Sequence, residues 1–220
     1  MFPSNKTAQA GEYPFVFSGL AGQLEAILTV PPDANPKLIA LIGHPHSLQG
    51  GTMTNKVVTT MARAFKELQI PSIRFNFRGV GLSEGSYDAG IGESEDMLTL
   101  KTLCQQEMGE DLQFIFAGFS FGSYVAYRAA AQSAHQLLIT IAPPVHHYDY
   151  KQFSAPKAWV IIQGDDDEVV PLTAVLDFAN QSPFALPVFR FPDTTHFFHG
   201  KLLELKATLI EAVTNQVKTL

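Results

Sequence analysis

Cysteine is nearly missing from this chain. Cys104 stands alone, so no disulfide can form within it and nothing points to an oxidising compartment. No apolar run is long enough to cross a bilayer, and the opening Met1-Phe2-Pro3-Ser4-Asn5-Lys6-Thr7 has no hydrophobic signal core. Charge is also sparse. Charged residues make up 16% of the chain, the balance is −6, and Lys and Arg nowhere cluster, which argues against a nucleic-acid surface. These absences predict a cytoplasmic protein without membrane insertion. Internal repeats, low-complexity tracts and linkers are missing too. The 220 residues are therefore expected to form one domain over 1–220, with 1–10 as a loose N-terminal arm.

What is present is a regular alternation. Residues 13–17 and 24–30 suggest two strands joined by a Gly-bearing turn, and the Pro-rich cluster 31–36 ends them. Leu38-Ile39-Ala40-Leu41-Ile42 is apolar at every position, as in a parallel strand buried on both faces. Further strands are expected at 72–77, 112–117, 137–141, 158–162 and 187–191. Helices are expected at 54–68, 92–107, 123–131, 172–180 and 202–217. Alternating strands and helices predict a mostly parallel, doubly wound α/β sheet. In such sheets function sits beyond the carboxyl ends of the strands. Here those ends open into loops 43–51, 78–92, 118–122, 143–157, 164–171 and 192–200.

One of these loops organises the rest. Gly118-Phe119-Ser120-Phe121-Gly122 follows a β-rich run and precedes an Ala-rich helix, the context of a nucleophile elbow. Such a turn lifts the serine Oγ above the sheet. It strains the backbone at Ser120 and leaves no room for side chains two positions away, hence the two glycines.

A serine hydroxyl needs an imidazole to take its proton and an acid to orient that imidazole. His196, between the last strand and the last helix, is the expected base; His199 is the rival, nearer the helix start. The acid lies within Asp165-Asp166-Asp167-Glu168, where successive carboxylates cannot all be buried unpaired. Asp167 is favoured because Val169-Val170-Pro171 resumes packing directly after it, and Asp165 comes second. For the oxyanion, one N–H donor is expected from Phe121 at the helix start. The other is expected from His46, since Pro45 has no N–H. A metal pair at His44 and His46 lacks a third ligand at recognisable spacing, and no metal is expected. Arg78 and its glycine-rich loop are expected to brace the active face; the glycine spacing of a dinucleotide site is absent.

With these residues in view, the chain resembles the α/β-hydrolase superfamily over essentially its whole length. The elbow, the acid loop Gly164–Pro171 and the late His196 follow that superfamily's order. His44-Pro45-His46 with Gly50-Gly51, and Phe75-Asn76-Phe77-Arg78-Gly79-Val80-Gly81-Leu82-Ser83, resemble a small bacterial group within it. Many of those relatives carry a second proline where Ser47 stands here. The resemblance implies an eight-stranded sheet beginning with an antiparallel hairpin, and ester or thioester hydrolysis without cofactor. Residues 143–157 are long enough for a short rim but not for a cap domain. Tyr148, Tyr150 and Phe153 in that segment are expected to line an acyl pocket for a small-molecule or carrier-bound acyl substrate. Cleavage of a peptide, lactone or C–C bond by the same residues, or a non-catalytic binding scaffold, are the competing expectations.

Overall fold

The sheet is built as the alternation requires, with eight strands in the order β1-β2-β4-β3-β5-β6-β7-β8. The computed structural model describes residues 2–4 and 9–217, so Met1, residues 5–8 and residues 218–220 lie outside the described part. β1 (Gly11–Gly19) and β2 (Gly22–Val30) form an antiparallel hairpin, with Gly11 opposite Val30 and Gly19 opposite Gly22. β2 also runs antiparallel to β4 (Ser72–Phe75). From β4 onward every pairing is parallel, through β3 (Leu38–Gly43), β5 (Gln113–Phe119), β6 (Leu137–Ile141), β7 (Trp159–Gly164) and β8 (Val188–Phe191).

Both faces are covered, and the two-residue period of the strands sorts side chains between them. Ile39, Leu41, Phe114 and Phe116 enter one apolar cluster with α2 (Ile91–Met108), α3 (Phe121–Ala131) and Val175 of α4 (Leu172–Asn180). Leu38, Ala40, Ile42, Ile115 and Ala117 enter the other, under α1 (Lys56–Glu67) and α5 (Leu202–Gln216). Central strands with no polar face therefore read as unbroken apolar runs. α1 starts where the Asn55 side chain accepts the Val57 N–H, and it buries Val57, Val58, Met61, Ala64 and Phe65.

Two expectations change. The N-terminal arm is not loose throughout: Phe2 is buried, its ring 5.3 Å from that of Phe15, because the hairpin leaves an apolar face that an aromatic ring can cover. The strand expected to reach residue 77 ends at Phe75. Beyond it, the Asn76 N–H still donates to the Glu25 carbonyl of β2, while its side chain accepts the Met53 N–H and donates to the Glu25 carboxylate. Arg78 is buried and donates to Asp96 of α2 at 2.8 Å, while Asp96 also accepts the Leu20 N–H. One carboxylate thus ties the hairpin turn, the 78–90 loop and α2 together. Between β6 and β7, residues 143–157 contain no helix or strand.

Candidate active site

Ser120 sits at the carboxyl end of β5 with φ 54° and ψ −122°, a conformation that L-residues avoid. Several bonds hold it there. The Ser120 N–H donates to the Ile141 carbonyl at 2.8 Å, and the Ser120 carbonyl accepts the Ser123 N–H at 2.8 Å. The buried Ser123 hydroxyl lies within 2.8 Å of the Gly118 carbonyl and 2.9 Å of the Ile141 carbonyl. The glycines are steric necessities. A Cβ on Gly118 would lie 2.0 Å from the Gly122 carbonyl oxygen, and one on Gly122 would lie 2.4 Å from the backbone of Gly43. Helix α3 can therefore descend against β3 only without side chains at those positions.

His196 arrives from the loop between β8 and α5. Its Nε2 lies 3.0 Å from Ser120 Oγ, and its Nδ1 lies 2.8 Å from Asp167 Oδ2 and 3.0 Å from Oδ1. The ring packs 5.0 Å from that of Phe119 and is nearly inaccessible to solvent. The loops that carry His196 and Asp167 are stitched together. Asp166 N–H donates to the Thr194 carbonyl at 3.0 Å, and His196 N–H donates to Glu168 Oε2 at 3.1 Å. They can approach because Gly164 has no side chain; a Cβ there would stand 2.4 Å from the Thr194 oxygen. Asp167 Oδ1 accepts the N–H groups of Val169 and Val170 at 2.9 and 2.7 Å. Three donors and an imidazole thus fix the direction of this buried carboxylate, since Gln163 also donates to Oδ2. Asp165 instead forms a two-pronged pair with Arg190, at 2.9 and 2.8 Å, and Asp166 faces solvent. His199 is exposed.

The loop after β3 is held by His44. This buried ring accepts the Phe77 N–H on Nε2 at 3.0 Å, which makes Nδ1 the protonated nitrogen, and that N–H meets the Pro45 carbonyl at 2.7 Å. Burial lowers its pKa from 6.5 to about 4. With both nitrogens engaged, His44 offers no lone pair to a metal. His46, by contrast, faces a cavity of about 210 Å³ that it shares with Ser120, Phe121, Pro144, Tyr148 and Val169. Burial, and secondarily the neighbouring His147, lower the pKa of His46. Among the described residues, no protein acceptor takes up the N–H of His46 or of Phe121. The cavity wall includes imidazoles from His46, His146 and His147 but no carboxylate, ammonium or guanidinium group.

Of the three aromatic residues expected to line an acyl pocket, only Tyr148 borders this cavity. Tyr150 and Phe153 line a second cavity, also about 210 Å³, with Trp159 and Phe178. Tyr150 is pulled beneath the rim because its ring packs 4.7 Å from Tyr127 and 5.6 Å from Phe178. Because residues 143–157 form no strand or helix, the spacing of Tyr148, Tyr150 and Phe153 does not place them on one face. Two residues escaped sequence reasoning altogether. Tyr87 packs 4.9 Å from His46 and 5.5 Å from Phe121, and its hydroxyl is 3.4 Å from that of Tyr148. Gln163 reaches Asp167; the visible signal was a lone amide at the end of an otherwise apolar strand.

No family model matches the sequence. An uncharacterized protein of Rickettsia prowazekii is 32% identical over 203 residues, spanning 88% of this chain and 85% of the relative. XC6422 from Xanthomonas campestris, described as an α/β serine hydrolase without a lid, has a crystal structure 39% identical to this chain. It superposes with a TM-score of 0.92 over 100% of this chain and 99% of that one. An α/β serine hydrolase homologue from Coxiella burnetii is 40% identical, with a TM-score of 0.86 over 90% of this chain and 96% of that one.

Proposed function

The chain belongs to the α/β serine hydrolases without a lid, and from that premise we propose that it hydrolyses carboxylic esters or thioesters through a Ser120–His196–Asp167 triad. The observation that carries this reading is the 3.0 Å approach of His196 Nε2 to Ser120 Oγ, on a serine held in a strained turn.

Ser120 Oγ attacks the acyl carbon while its proton passes to His196 Nε2. Asp167, accepting the Nδ1 proton's hydrogen bond, stabilises the imidazolium that results. The carbonyl oxygen becomes an oxyanion, met by the free N–H groups of Phe121 and His46. The Phe121 donor stands at the first turn of α3, where the helix dipole adds positive potential. As the tetrahedral intermediate collapses, His196 returns the proton to the departing alcohol or thiol. Water then attacks the acyl-enzyme with the same imidazole as base, and the carboxylic acid leaves Ser120 free. No cofactor enters this sequence.

The cavity wall suits an uncharged acyl group, with Tyr148, Pro144 and Val169 as its apolar contacts. Because residues 143–157 form no helix above it, the site favours short acyl esters, or an acyl group presented on a larger carrier, over long buried lipids. The lone, buried Cys104 accords with a cytoplasmic enzyme. Turnover of p-nitrophenyl acetate and butyrate tests the proposal. Ser120→Ala should abolish it and also abolish labelling by a fluorophosphonate probe. Undiminished turnover in that variant would reject the assignment. Probe labelling without esterase activity would redirect the search to lactones, peptides or C–C bonds.

A further inference from the structure

Gln163 is the last side chain of β7 before the Gly164 turn. It is wholly buried, in a strand otherwise composed of Trp159, Val160, Ile161 and Ile162 before that glycine. Its Nε2 lies 3.1 Å from Asp167 Oδ2, 3.0 Å from the Val170 carbonyl oxygen and 3.2 Å from the Gly164 carbonyl oxygen. Three acceptors converging on one end of the amide set its orientation; the flipped amide would press Oε1 against all three. At the other end, Oε1 is buried without a hydrogen-bond partner. An orphaned buried carbonyl is destabilising, and an aliphatic side chain would avoid it. The amide's one contact with an ionised group is the carboxylate beside His196.

We propose that Gln163 is a positioning residue for the acid–base pair, an inference that rests on reading Ser120, His196 and Asp167 as the triad. Asp167 Oδ1 is satisfied by the N–H groups of Val169 and Val170. Among the described residues, Oδ2 has only Gln163 and His196. Gln163 therefore does two things. It holds Oδ2 in line with His196 Nδ1, and it takes up part of the carboxylate's charge. Without that donor, the charge on Oδ2 would be met by the imidazole alone. The imidazolium would then be bound more tightly and lose its proton only at higher pH. Other groups act on this pair as well. Glu168 accepts the His196 N–H, Asp165, Asp166 and Asp193 lie on the two stitched loops, His199 follows on the His196 loop, and His46 and His147 share the cavity with Ser120. All are unchanged by substitution at 163, so they cancel in a comparison with the wild type.

The test uses the full chain with Gln163→Met, which keeps the side-chain length, and Gln163→Leu, which shortens it; both remove the donor and the orphaned oxygen together. Two quantities are read against pH: kcat/KM for p-nitrophenyl acetate, and the NMR titration of the His196 ring in the free protein. The expected result is that the acid limb of kcat/KM and the ring titration both move upward by about half a unit or more. Activity on the acid side then falls roughly threefold or further, and the deficit shrinks as pH rises. Limb and titration coinciding with wild type in either folded variant would overturn the proposal, whatever happens to the plateau rate or melting temperature. Failure of both variants to fold would also overturn it, since the amide would then serve the sheet and not the pair. Turnover surviving in Ser120→Ala would instead sink the triad reading, an outcome separable from the titration because the titration needs no substrate.

Discussion

Acidification should weaken this fold through one imidazole, His44, and the size of the effect can be worked out. In the folded protein its pKa is about 4, against an ordinary 6.5, because the ring is buried with Nε2 committed to the Phe77 N–H. A depressed folded pKa means that the unfolded chain binds a proton first as pH falls. Stability is therefore fully present above about pH 6.5 and is lost progressively as pH drops toward 4. The separation of the two values corresponds to about 3 kcal/mol in total, of which about 2 kcal/mol is lost between pH 7 and pH 5. Urea unfolding at pH 7, 6 and 5 measures this, and a loss of that size moves the midpoint by roughly 1 M. His44→Gln can still present an acceptor to Phe77 N–H and a donor to the Pro45 carbonyl, but it does not titrate. Its stability should fall about 2 kcal/mol less than wild type over the same interval. His46, whose pKa is also lowered, contributes with the same sign, but it is present in both proteins and drops out of the difference. Parallel pH dependences for wild type and His44→Gln would refute the reasoning. The result bears on the site because the His44 ring pins the loop that carries the His46 N–H.

The other predictions concern the elbow, the acid and the thiol. Asp167→Asn should lower kcat for p-nitrophenyl butyrate by roughly 10⁴ through loss of the correct imidazole tautomer. Asp165→Asn, which only releases Arg190, should stay within about threefold of wild type. Gly118→Ala forces a Cβ to within 2.0 Å of the Gly122 carbonyl, so thermal unfolding should show a loss of at least about 3 kcal/mol or no soluble protein. Cys104 is buried and burial raises its thiol pKa, so a thiol reagent should label it only in denaturant and leave esterase activity intact in native protein.

Much of this architecture could be read in advance because its causes are local. Leu38 to Ile42 can be apolar throughout only where both faces are covered, and Gly118 and Gly122 flank Ser120 because neither position has room for a Cβ. What stayed hidden depends on direction. Asp165, Asp166 and Asp167 are the same side chain three times over, and only the turn at Gly164 decides which points to His196 and which to Arg190. Tyr148 and Tyr150 look alike on paper, yet one borders the Ser120 cavity while the other is drawn into a stack with Tyr127. In the sequence Phe2 reads as part of a free arm because its burial depends on a face created by the distant hairpin. Gln163 is not legible as a site residue because nothing in a strand's composition tells which atom the side chain before its closing glycine will reach.

Ser120 and His196 are separated by 76 positions, and β8, whose end delivers the imidazole, touches the sheet only along β7. On the proposed mechanism, a refolding chain that has formed β5, its turn and α3 but has not docked β8 holds an inert hydroxyl. Ester turnover during renaturation would thus report the docking of the final edge strand, and its recovery should lag behind any signal that follows the central strands.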